Sequence, residues 1–229
     1  MILAAVLFSL IGASALSVPS AAQVRQARSL PCAPGGVTEP TLRPRDEGPR
    51  RPDFVEFRRR LRDAVARRDV EGVLAALDPN VKVAFDGAGG IEAFKKYHLE
   101  NPQQDFWEEF GTILALGGRF SRADQFAAPY VFAAWPAEFD SFECLAVIGT
   151  GVRLRAAPRL DARAKALLDY AIVQSLGSEP TVTGWRRVRL ADGRTGYVAS
   201  RYVRSPIEHR AIFEFKERRW WLTAYVAGD

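Results

Sequence analysis

The stretch GWRRVRLADGRTGYVASRYV, residues 184–203, constrains the fold more than any other part of the chain. It runs through Trp185, Val188 and Leu190 with polar residues between, turns at Asp192-Gly193, and returns through a second strand-like run. Asp-Gly between such runs favours the tight hairpin turn whose twist matches that of paired strands. Upstream, GVRLRAAP (151–158) alternates and stops at a proline, and KALLDYAIVQSL (165–176) carries strand-like apolar residues in its second half. Several short strands with turn signals between them predict a small closed barrel over residues 141–204.

The flanks read differently. PDFVEFRRRLRDAVARRDVEGVLAALDP begins an ordered region in which Asp53 is a candidate helix cap with Glu56 in the capping-box position. Phe54, Phe57, Leu61 and Val65 keep helical spacing, a second helix is expected to run through Leu77, and Arg58 to Arg60 are assigned to a solvated face. Val81, Val83 and Phe85 alternate as a strand, residues 91–99 and 105–116 read as helices, and PYVFAAW (129–135) reads as a strand. The tail predicts a hairpin about a turn at residues 216–219, with Trp220 and Trp221 on opposite faces of their strand. The expected class is α+β, with a body formed by residues 53–140 and 205–229 and an all-β module between them.

Charge separates along the same lines. The net charge of +5 divides into +6 for residues 23–68, +7 for residues 144–204 and −8 for the remainder. A basic module beside an acidic body fits either an anionic partner or docking of the module on its own body. Residues 1–22 read as a signal peptide, an apolar stretch too short to span a membrane followed by Ser20-Ala21-Ala22. Residues 23–52, rich in Pro, Arg and Gly, read as a disordered linker. Export implies a periplasmic or extracellular protein with no transmembrane segment after signal cleavage, and no nucleic-acid partner. The two cysteines, Cys32 and Cys144, are a candidate disulfide in an oxidising compartment, with two isolated thiols as the alternative.

The module resembles the bacterial SH3-like (SH3b) domains. The resemblance rests on Arg155-Ala156-Ala157-Pro158 for R-x-x-P, Gly184-Trp185-Arg186-Arg187-Val188 for G-W-x-x-V, and Asp192-Gly193-Arg194-Thr195-Gly196-Tyr197-Val198 for D-G-x-x-G-Y-V, followed by Tyr202-Val203. The flanks faintly resemble a nuclear-transport-factor-2-like domain, through Asp78-Pro79-Asn80-Val81 and Trp221-Leu222-Thr223-Ala224-Tyr225. These resemblances imply an exported, non-enzymatic protein that binds cell-wall peptidoglycan or an envelope protein. The alternatives are a structural role, with the module packed on its own body, and small-ligand binding or catalysis in the body.

Candidate ligand-binding residues are Arg153, Arg155, Arg187 and Arg189, expected to point outward from the module, with Trp185, Tyr197 and Tyr202 near loop ends where they line a groove; the alternative is that Trp185 and Tyr197 belong to the barrel core. No catalytic or metal-binding residues and no cofactor are expected. Only His98 and His209 occur, read as a helix-surface and a strand-edge residue. There is no H-E-x-x-H, C-x-x-C or G-x-S-x-G, and Glu108-Glu109 are adjacent and diverge on a helix.

Overall fold

The computed structural model describes residues 32, 38–103, 105–177 and 183–228. The expected signal peptide, residues 1–22, lies outside the described residues. The elements are helices and antiparallel-rich sheets, an α+β protein. Among the described residues no helix is long and apolar enough to cross a membrane.

Helix α1 (Pro52–Ala66) buries Phe54, Phe57, Leu61, Ala64 and Val65, an apolar stripe at helical spacing. Proline opens it, where its missing N–H costs nothing. Arg51 rather than Asp53 occupies the cap position, because the Asp53 carboxylate instead accepts hydrogen bonds from Arg51 and from the Trp220 indole at 3.0 Å. Helix α2 (Val70–Leu74) is capped by Asp69, which accepts from the Gly72 N–H. The helical pattern ends earlier than its periodicity suggests. Residues 77–82 form strand β1 (Leu77–Lys82), drawn into parallel pairing by the bond from the Leu222 N–H to the Ala76 carbonyl. Pro79 is tolerated there because β1 is an edge strand. Helix α3 (Ile91–Phe94) continues into a π-helical turn, Lys95–Leu99, and α4 (Phe106–Ala115) follows, capped by Asp105.

Strands β2 (Arg119–Arg122) and β3 (Gln125–Ala128) form a short hairpin, and the expected strand at 129–135 is instead helix α5 (Tyr130–Ala133). Residues 144–204 then supply β4 (Cys144–Val147), β5 (Val152–Arg155), β6 (Ala164–Leu168), β7 (Ile172–Ser175), β8 (Trp185–Arg189), β9 (Thr195–Ala199) and β10 (Val203–Arg204). The chain ends on the hairpin β11 (Arg210–Lys216) and β12 (Arg219–Val226), joined through Glu217 and Arg218 in left-handed backbone.

These strands make two sheets. The first is ordered β1-β12-β11-β3-β2 and carries α1 to α4 on one face. Its core centres on Phe54, with the Phe126 and Trp220 rings 4.4 and 4.7 Å away. The second is ordered β10-β4-β7-β8-β9-β5-β6, with every pair antiparallel. It folds around its own core of Val147, Leu154, Val173, Val188, Val198 and neighbours. The expected closed barrel is not found. The two-residue β10 pairs only with β4, and β6, of which only Leu168 is buried, pairs only with β5, so the sheet stays open. All strands of the second sheet fall in sequence between β3 and β11, which are hydrogen-bonded neighbours in the first.

The segment 38–51, read as disordered from composition, is packed. Thr41 bridges to Ala171, the Pro40 carbonyl accepts from the Ile172 N–H, and the Glu39 carboxylate accepts from the Ala191 N–H. Further along, Glu47 is buried and accepts from the Phe120 N–H, and Asp46 holds Arg58 through two hydrogen bonds of 2.8 and 2.7 Å. Arg58 is therefore buried over the Phe54 and Phe126 rings rather than solvated. Composition averages over a segment, whereas these few charged groups dock individually. Cys32 and Cys144 are joined by a disulfide with a Cα–Cα distance of 5.6 Å. It lies in a third apolar cluster with Leu42, Tyr130, Val131, Ala146 and Ile172, which joins the segment, α5 and the outer face of β4 and β7.

Candidate functional site

In β5, β8 and β9 the alternation of residues sets two faces. Val152, Leu154, Val188 and Val198 point into the core, so Arg153, Arg155, Trp185, Arg187, Arg189 and Tyr197 occupy the outer face. Trp185 and Tyr197 are thus not core residues. Cross-strand register places Arg155 opposite Tyr197 and Tyr197 opposite Arg187, a basic–aromatic–basic row over three adjacent strands. Such neighbours lie about 5 Å apart at Cβ, close enough for one ligand to span.

Gly196, within the D-G-x-x-G-Y stretch, allows this row to form. A Cβ there would sit 2.6 Å from the Arg155 carbonyl oxygen and 2.8 Å from Leu154 Cγ. Gly196→Ala is expected to force β9 from β5 and cost about 1–3 kcal/mol, as over-packing does. Thermal melting checks this, and an unshifted midpoint would show that the two strands yield freely.

At one end of the face Arg153, Arg155, Trp185 and Tyr202 converge with Arg201 and Leu160 on a cleft of about 240 Å3. Tyr202 is 40% exposed, with the Arg201 guanidinium 4.9 Å from its ring centre, and Leu160 is 66% exposed. The Arg155 guanidinium donates to the Ala162 carbonyl at 2.7 Å and so braces the loop that carries Leu160. Arg187, Arg189 and Tyr197 extend the face away from the cleft, and Arg189 donates to the Gln174 side chain at 3.3 Å. Arg153, Arg187 and Arg201 make no ion pair among the described residues. Sequence reasoning passed over Arg201 and Leu160. Arg201 stood in the ASRYV run beside Tyr202, but Leu160 sits in a loop without alternation and left no signal.

A second polar cluster holds the two sheets together. Arg204, buried on β10, donates to the His209 carbonyl at 2.6 Å and to Glu109 of α4 at 3.3 Å. The other Glu109 oxygen lies 3.2 Å from His209 Nδ1. Burial pushes the Glu109 carboxyl up, but the His209 hydrogen bond and the charges of His209 and Arg204 outweigh it and hold the group below the ordinary carboxylate range. Glu208, 3.7 Å from Arg204 and 4.0 Å from Arg186, is pushed up by burial despite both cations. The His209 ring stacks on buried Tyr225, whose hydroxyl burial pushes far up, and His98 packs edge-on against the same ring. His98 is therefore buried against β12, not a surface residue. Chemically this cluster neutralises charge between the sheets. It uses β10 and the start of β8, and leaves the outer face of β5, β9 and the rest of β8 uncovered.

No family model, no curated protein and no solved structure matches this chain.

Proposed function

We propose that this is a non-enzymatic binding protein whose seven-stranded sheet takes an anionic partner on its basic, aromatic outer face. The row Arg155–Tyr197–Arg187, continuous with the Arg153, Trp185 and Tyr202 cleft, carries the reading. Guanidinium groups suit carboxylates, and aromatic rings beside them supply stacking area. The resemblance of the module to SH3b domains makes cell-wall peptidoglycan, whose peptide stems carry carboxylates, the partner of choice, with an envelope protein as the other candidate. The Cys32–Cys144 disulfide supports an exported protein, because such bonds persist in oxidising compartments. The module meets its own body through the outer face of β4 and β7 and through Arg204 of β10, strands on one side of β8, and this leaves the outer face of β9 and β5 on the other side clear of that contact.

Cosedimentation with purified cell-wall sacculi tests the reading. Arg153→Glu with Arg187→Glu should lower binding at least tenfold while leaving the melting temperature within about 2 °C, since exposed substitutions usually cost within about 0.5 kcal/mol. Arg155 is left intact because it braces its loop. Binding by the wild type should weaken from low to physiological salt, where charges are screened beyond about 8 Å. Equal binding by the variant, or no wild-type binding at low salt, overturns the proposal.

A further inference from the structure

The face of the five-stranded sheet turned away from α1 to α4 is hollow. A bulge in the β11–β12 ladder pairs Ile212 with Ala224 but Phe213 with Leu222, so Thr223 is the extra residue. Before the bulge Trp220 and Leu222 point to the helices, and after it Tyr225 does. Ala224 and Val226 are therefore switched to the opposite face, where with Ile212 they floor a cavity of about 640 Å3.

Its walls come from separate elements. On one side the chain leaves β1 and doubles back through a turn with Gly87 and Gly90 in left-handed backbone, closed by a bridge between Lys82 and Gly89. This turn presents Phe85, 58% exposed despite its size. On the other side stands Phe132 of α5. Between these rings lies the Arg210 guanidinium, 5.2 Å from the first ring centre and 4.7 Å from the second, donating to the Gly228 carbonyl at 2.6 Å. Lys82 lines the same cavity, and among the described residues no carboxylate does.

A cavity of this size with an apolar floor, an exposed aromatic wall and charge of one sign matches the pattern of a small-molecule site. We propose that it is a second binding site, separate from the basic outer face of the other sheet, for a small amphipathic monoanion of the medium-chain carboxylate class. The apolar body of the ligand would lie on Ile212, Ala224 and Val226 against Phe85. Its carboxylate would meet the Lys82 ammonium. No other described side chain lining the cavity carries a charge to oppose that orientation.

Titration calorimetry on the full chain, with octanoate kept below its micelle concentration, tests this, with octylammonium as the cationic control of equal chain length. Octanoate should bind and octylammonium should bind at least tenfold more weakly. Ala224→Phe, which fills the floor, should weaken octanoate at least tenfold. Lys82→Glu, an exposed change that leaves packing untouched, should weaken it at least fivefold and narrow the preference over octylammonium. No octanoate binding by the wild type, equal binding of the two amphiphiles, or octanoate binding unchanged by Lys82→Glu overturns the proposal.

Discussion

Replacing Cys32 and Cys144 together with alanine is expected to lower stability by about 4–5 kcal/mol. The disulfide closes a separation of 112 residues, and in the chain-entropy treatment a 100-residue loop corresponds to about 4.7 kcal/mol. For a chain of this size each kcal/mol moves the melting midpoint by roughly 2–4 °C, so a fall of about 10–20 °C should be read in a thermal melt of the oxidised proteins. Both sulfurs are buried in the cluster with Tyr130, Ala146 and Ile172, so the bond also pins one end of the segment that crosses both sheets. A shift below about 3 °C would mean that the segment is held by its other contacts, chiefly the Asp46–Arg58 pair and the Glu39 and Glu47 hydrogen bonds.

Glu109→Gln should cost about 3 kcal/mol at neutral pH and progressively less in acid. Removing one partner of a buried ion pair costs about 3–5 kcal/mol, because the other charge stays buried. The Arg204 side chain is only 7% exposed and Glu109 is 29% exposed, which places the expectation at the lower end. The pH dependence follows from direction. The folded Glu109 carboxyl titrates below its ordinary value, so its contribution is fully present above about pH 4.3 and is lost as pH falls through the lowered value. Glu208 faces the same arginine and works oppositely. Its carboxyl is raised by burial, so its ionisation costs stability as pH climbs from the ordinary carboxylate value through the raised one. Wild-type and variant denaturation curves should therefore lie parallel near pH 7 and converge below pH 4. A cost under about 1 kcal/mol would show that the His209 carbonyl alone satisfies Arg204, and a gap that persists in acid would show that the loss does not come from the Glu109 charge.

Elements whose stability is local were legible in the chain. The stripe of α1, the Asp105 cap of α4, and the β11–β12 hairpin about Glu217 and Arg218 each depend on neighbours a few residues away. The outer-face placement of Arg153 and Arg187 followed from alternation alone, because in a strand parity decides the face, whereas Tyr197 was open between groove and core until its register beside buried Val198 placed it outside. Where parity breaks, inference failed. The extra residue at Thr223 moves Ala224 and Val226 off the face that simple alternation from Trp220 assigns them, and with them the floor of the cavity. Short elements failed similarly. β2 and β3 have four residues each, too few for a period to register, and α5 has four apolar residues that read equally well as strand.

The sequence by itself determined most strands of 144–204 and the outward placement of Arg153, Arg155, Arg187 and Arg189, while β6 lay in the half of its run that showed no strand pattern and the face of Trp185 and Tyr197 stayed open. It determined these because alternation and Asp-Gly turns act over a few residues, at a range the chain specifies directly. Only the tertiary structure decided that the sheet stays open, that residues 38–51 lie bound across both sheets, and that Cys32 reaches Cys144. It alone made His98, Arg58 and Arg204 interior residues. Those outcomes rest on contacts between residues tens of positions apart. Their free energy comes from the fit of one surface to another, such as Asp46 against Arg58 or Glu109 against Arg204, and no local pattern of polarity encodes that fit.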